Sequence, residues 1–103
     1  MQLSDALALD RLAVGHVARI AGIDWARLDA AEGRRLREFG LYEGMEVEVL
    51  HRGTLFFRDP LAIRVGRMRI AIRAVHAAAV TLDPATVAAA GASPVGTAGL
   101  AGA

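Results

Sequence analysis

The chain has 103 residues, a formal net charge of +1 and no cysteine. That length holds one domain at most. The missing cysteines exclude disulfides and thiolate metal sites and agree with a cytoplasmic setting. A charge this close to zero gives the whole molecule no general attraction for nucleic acid.

Residues 1–8 are expected to be an N-terminal extension, and its start, Met1 to Asp5, has neither the basic stretch nor the apolar run of a signal peptide. Leu9-Asp10-Arg11-Leu12 then leads through Val14-Gly15 into a strand-like run, Val17-Ala18-Arg19-Ile20, whose alternation is imperfect. Residues 22–28 read as a loop holding the single tryptophan, Trp25. A short helix follows near residues 29–39. Asp29 and Glu32 have capping-box spacing, and both acids favour the positive end of the helix dipole. Leu36 and Phe39 supply its apolar side, and Gly40 is suited to the left-handed stop after which Leu41 folds back on Leu36.

Gly44 turns the chain into a second strand with Met45, Val47 and Val49 on one face and Glu46 and Glu48 on the other. Residues 51–60 are long for a hairpin connection and carry the adjacent pair Phe56-Phe57 and the turn residue Pro60. Leu61, Ile63 and Val65 alternate again, Gly66 permits a tight turn, and Met68, Ile70 and Ile72 return inward while Arg64, Arg67, Arg69 and Arg73 point out. A short apolar connection, residues 74–79, reaches a last strand, Val80-Thr81-Leu82. Beyond it, residues 84–103 carry no charge and few large apolar side chains, so residues 83–103 are expected to form a low-complexity, flexible tail. Ala, Gly, Pro84 and Pro94 in that stretch argue against a membrane span. The domain is thus expected over residues 9–82. It is mainly β, a small, strongly bent barrel of about five strands closing its own edges, with one short helix between the first and second strands.

The ordered set Arg35-Leu36-x-Glu38-x-Gly40-Leu41, Gly44-x-x-Val47-x-Val49, Asp59-Pro60-x-x-Ile63-x-Val65 and Ile70-Ala71-Ile72-Arg73 resembles the FeoA family of bacterial ferrous iron transport proteins. Leu12-x-x-Gly15 fits the family's opening. The chain departs from the family at His76-Ala77, where Glu-Ala is common, and at Leu55-Phe56-Phe57-Arg58, where small residues are usual. The resemblance implies an SH3-like barrel and a cytoplasmic, non-enzymatic accessory role. The partner it implies is FeoB, a membrane transporter with a cytoplasmic G-protein domain. Similar domains also end iron-dependent repressors, where they serve as interaction modules.

No enzyme signature accompanies this pattern. A phosphate-cradling Gly-x-x-x-x-Gly-Lys is absent, and Glu46 and Glu48 are better explained by cross-strand ion pairs with Arg64, Arg67 or Arg69 than by acid–base catalysis. His16, His51 and His76 match no ligand spacing. His51 and His76 remain weak metal candidates, no cofactor is expected, and only a weak transition-metal association stays open. The outward arginines form a basic face, but the strands offer no aromatic platform for bases, so no nucleic acid is expected as partner. By analogy with the peptide groove of SH3 domains, the candidate partner-binding residues are Trp25, Tyr42, Phe56, Phe57 and Arg58, with Arg64 and Arg69 steering approach. Trp25 is weighed against simply capping the barrel end. Gly40, Gly44, Pro60 and Gly66 are assigned as structural turns. The reading is an interaction module of ferrous iron uptake. The alternatives are a nucleic-acid-binding small barrel or a metal sensor, and homo-oligomerisation stays open.

Overall fold

The computed structural model describes residues 7–53 and 60–91. Six strands form one antiparallel sheet: β1 (Leu7–Ala8), β2 (His16–Ile23), β3 (Glu46–Arg52), β4 (Leu61–Val65), β5 (Met68–Ile72) and β6 (Val80–Ala89). Their spatial order is β1-β6-β2-β3-β4-β5. Two helices complete the domain, α1 (Ala30–Glu38) between β2 and β3, and the single turn α2 (Ala74–Ala77) between β5 and β6. Register shifts in β2 after Val17 and after Ile20, and in the β3–β4 pairing after Val49, bend the sheet around its contents. Among the described residues β5 and β1 are not paired, so the barrel is SH3-like in shape while its sheet keeps two edges.

Helix α1 forms where side-chain chemistry dictates. Asp29 accepts a hydrogen bond from the Glu32 amide at 2.8 Å, capping the first turn. At the other end Gly40 takes φ of 93°, its amide donates to the Arg37 carbonyl, and the Leu41 amide donates to the Leu36 carbonyl at 3.0 Å. That pair of bonds is a Schellman stop, and Leu36 and Leu41 are both fully buried beneath it. The helix therefore lays its Leu36 face on the core and leaves Arg34 and Glu38 in water.

The alternation of β3 and β4 sends Val47, Val49, Leu61, Ile63 and Val65 into a single apolar cluster. Leu9, Leu12, Val80 and Leu82 close the cluster from the other side, and Met45 packs on its margin. Ile70 and Ile72 join it from β5, whereas Met68 does not: it is 45% exposed. It follows the Gly66-Arg67 turn on an edge strand, so the expected inward face stops at Ile70.

Two boundaries differ from expectation. Leu7 and Ala8 pair with Leu82 and Thr81, so the fold begins inside the stretch read as an extension. The tail expectation also fails at its start, because Asp83 to Ala89 continue strand β6 against β2. There Asp83 pairs with Arg19, residues 84–87 bulge out, and Ala88 and Ala89 resume the ladder opposite Val17 and His16. Thr86 Oγ1 accepts from the Arg19 amide at 2.8 Å and donates to the Asp83 carbonyl at 2.7 Å. Pro84 lies inside the bulge, where its missing N–H costs no ladder bond. A composition test measures side-chain burial, and this segment is held by its backbone, which is why the test misread it. The rest of the proposed tail, residues 92–103, lies outside the described residues.

Candidate functional site

The candidate residues fall into three places. Trp25 opens a one-turn 3-10 segment, Trp25–Arg27, directly after β2. It is half-buried against the core, its ring lies beside Gly33 of α1, and the Arg37 guanidinium sits 4.2 Å from the ring centroid. Trp25 thus anchors α1 to the barrel and presents one face through a cation–π contact. Tyr42, in the turn between α1 and β3, is 51% exposed and makes no ring contact among the described residues. Phe56, Phe57 and Arg58 lie outside the described residues, but the base of their loop is defined, with the Gly53 amide donating to the Pro60 carbonyl at 2.8 Å. No described contact joins Trp25 to Tyr42, so the groove is not assembled by direct packing of these two rings.

The turn residues sit where turns occur. Gly44 and Gly66 take φ of 88° and 60°, and Pro60 immediately precedes β4. At Gly66 the left-handed backbone closes the β4–β5 hairpin, a conformation that favours glycine.

The charged residues divide sharply. On the outer face Arg64 stands opposite Glu48, donates from Nε to its carboxylate at 3.0 Å, and lies 3.7 Å from Glu46. It also donates to the Gly66 carbonyl at 3.0 Å. This is the cross-strand pairing that the sequence predicts, and it commits Arg64 to the fold. Arg67 and Arg69 find no such partner among the described residues.

His51 is exposed on β3. His76 on α2 is half-buried, its Nδ1 lying 3.3 Å from the Glu32 carboxylate of α1. The approach is close enough for an ion pair when His76 is protonated, but it is not aligned as a hydrogen bond. The same carboxylate lies 3.4 Å from Arg35, whose guanidinium reaches the Ala71 carbonyl on β5. This Glu32–Arg35–His76 cluster, which staples α1 to α2 and to β5, is absent from the sequence reading. Only the i,i+3 spacing of Glu32 and Arg35 hints at it. Among the described residues no group of three or more His, Cys, Asp or Glu side chains converges as metal ligands would. A cleft of about 500 Å³ beside β1, lined by Leu7, Ala8, Arg11, Ala78 and Thr81, offers one charged group and no acid–base pair. No helix among the described residues is long and apolar enough to cross a membrane.

The FeoA-domain family matches residues 7–84 of the sequence. The chain belongs to the FeoA family. The match opens at β1 and reaches one residue past Asp83, wider at both ends than the expected residues 9–82. The crystal structure of Stenotrophomonas maltophilia FeoA complexed with zinc, described as a procaryotic SH3 domain protein, superposes with a TM-score of 0.69. It is 31% identical, covering 82% of this chain and 98% of that one. The solution structure of FeoA from Chlorobium tepidum gives a TM-score of 0.67 at 26% identity, covering 90% of this chain and 82% of that one. IdeR of T. acidophilum shares the fold alone, with a TM-score of 0.61 at 19% identity over 76% of this chain and 33% of that one. No curated protein sequence matches.

Proposed function

We propose that this FeoA chain is a non-enzymatic, cytoplasmic accessory module of bacterial ferrous iron uptake that binds the cytoplasmic part of an FeoB-type transporter. The observation that carries the reading is the family match over residues 7–84. It is reinforced by the S. maltophilia FeoA, which is put forward as a bacterial ferrous iron transport activating factor. The surface chemistry agrees with an interaction role. Exposed Tyr42, together with Phe56, Phe57 and Arg58 in the sequence between Gly53 and Pro60, offers residue types of the kind that dominate interface energies.

A transition-metal role has a weaker basis. The relative crystallised with zinc shows that a FeoA barrel takes that ion under some conditions. Here His76 and Glu32 bring two donors together, fewer than the three or four protein ligands of a resident zinc site.

Titration calorimetry with the transporter's cytoplasmic part tests the proposal. Binding is expected for the native chain, and a Phe56→Ser, Phe57→Ser double variant with an unchanged circular dichroism spectrum should bind about ten-fold more weakly or worse. The protein alone should neither hydrolyse GTP nor keep iron after chelation. Native binding by the double variant would move the contact surface away from this loop. No binding by the native chain would remove the transporter as partner.

A further inference from the structure

One row of charges crosses the outer face of the sheet from β3 to β5. Glu48 faces Arg64, and Arg64 faces Arg69, in direct register. Glu48 neutralises Arg64 at 3.0 Å, but Arg69 stands at the end of the row with no partner among the described residues. Like charges directly opposite each other in adjacent strands are unfavourable. Arg67 in the turn and Arg73 just past β5 are likewise without a side-chain partner among the described residues. The β5 edge is therefore lined by three unpaired guanidinium groups and exposed Met68, with no carboxylate on the strand itself.

The backbone of this edge is open as well. Val65 and Met68 pair across a two-residue turn, the position at which a tight hairpin closes with mutual hydrogen bonds. Alternation then puts Arg69 and Ala71 at sites whose N–H and C=O groups point away from β4. The Arg35 guanidinium on the Ala71 carbonyl shows that direction independently. Arg35 thus occupies one outward acceptor. The amides of Arg69 and Ala71 and the Arg69 carbonyl remain without partners among the described residues.

We propose that the free edge of β5 takes up an extended acidic segment of a partner protein as a further strand, with a carboxylate landing opposite Arg69 to complete the Glu48–Arg64–Arg69 row. Strand addition supplies affinity through the outward amides, and the arginines select the sequence that binds. A second copy of this chain pairing β5 with β5 would set arginines against arginines, and residues 92–103 contain no acid. Nucleic acid would satisfy the arginines but not the strand amides, and β5 offers no aromatic stacking platform. The proposal does not depend on the transporter reading, because any partner with such a segment qualifies.

The test uses a short fluorescent peptide alternating valine and glutamate, titrated into isotope-labelled full-length protein, with amide spectra and hydrogen exchange recorded. Binding should shift and protect the amides of Arg69 and Ala71. Replacing the glutamates with glutamine should weaken affinity on the order of ten-fold, and Arg69→Glu should do the same. Arg69→Pro should abolish binding while the fold survives, since an outward-facing edge position tolerates proline. No binding at millimolar peptide would overturn the proposal, as would binding that leaves those two amides unchanged or is indifferent to the glutamates. A single-stranded oligonucleotide that binds this edge when the peptide does not would overturn it too, and would assign the face to nucleic acid.

Discussion

The inner strands β3 and β4 and the edge strand β5 all put charged side chains on the same outer face, yet those charges are in opposite states. On β3 and β4 the carboxylates of Glu46 and Glu48 gather around Arg64, whose remaining donor reaches the Gly66 carbonyl. On β5, Arg69 stands next in the row and has nothing to bind among the described residues. Paired charges that are partly buried stabilise the fold. An unpaired cation beside another cation does not, and it is open to a partner outside the chain. The same sheet thus separates charges that hold the barrel from charges left unpaired among the described residues.

The contrast depends first on what holds β5 in place. The strand is anchored by its inward side, where Ile70 and Ile72 enter the core, so Ile70→Ala should cost about 2–5 kcal/mol in chemical denaturation. A loss under half a kilocalorie would mean that β5 is attached by other means. The opposite case is the far half of β6, which has almost no inward side chain and is held by backbone bonds to β2. A chain ending at Asp83 should be less stable by about 1–3 kcal/mol than one ending at Gly91, because it loses the pairings of Ala88 and Ala89 and the Thr86 acceptor for Arg19. Equal melting temperatures for the two truncations would restore the flexible-tail reading.

The paired and unpaired charges can then be compared directly. Glu48→Gln should cost about 0.5–1 kcal/mol, since the carboxylate is 17% and Arg64 28% exposed and the pair is only partly screened. Arg69→Ala should cost nothing, or stabilise by about 0.2–0.5 kcal/mol through relief of the Arg64 repulsion. If Arg69→Ala proved as damaging as Glu48→Gln, Arg69 would have an unrecognised structural partner and the contrast would collapse.

What could be read from the residues follows the same division. Helix α1 was legible because its start and stop are written in side chains, Asp29 and Glu32 at one end and Gly40 and Leu41 at the other. The strands β3 and β4 were legible because Val47, Val49, Ile63 and Val65 alternate with charges, and cross-strand ion pairs follow from that alternation, though not which of Arg64, Arg67 and Arg69 makes them. Residues 83–89 were not legible, since Ala, Pro and Thr carry no burial signal and the backbone of β2 supplies the order. Met68 was misread because alternation gives a face but not how far a neighbour covers it. The Glu32–Arg35–His76 staple joins elements distant in sequence, which spacing alone cannot bring together. For the candidate site, the residue types were legible and their arrangement was not. Trp25 is engaged on one side by Arg37, and Arg64 by Glu48, Glu46 and the Gly66 carbonyl together.

If this FeoA barrel acts as proposed, it binds a protein partner through surface residues that the fold does not need. The most direct measurement is an amide-resolved titration of the labelled full-length chain with the cytoplasmic part of an FeoB-type transporter. Binding should give saturable shifts confined to exposed positions, including Tyr42 and the β5 edge at Arg69, while core amides such as Val47 and Ile63 stay fixed. An unchanged spectrum at saturating transporter, or shifts spread evenly through the core, would contradict it.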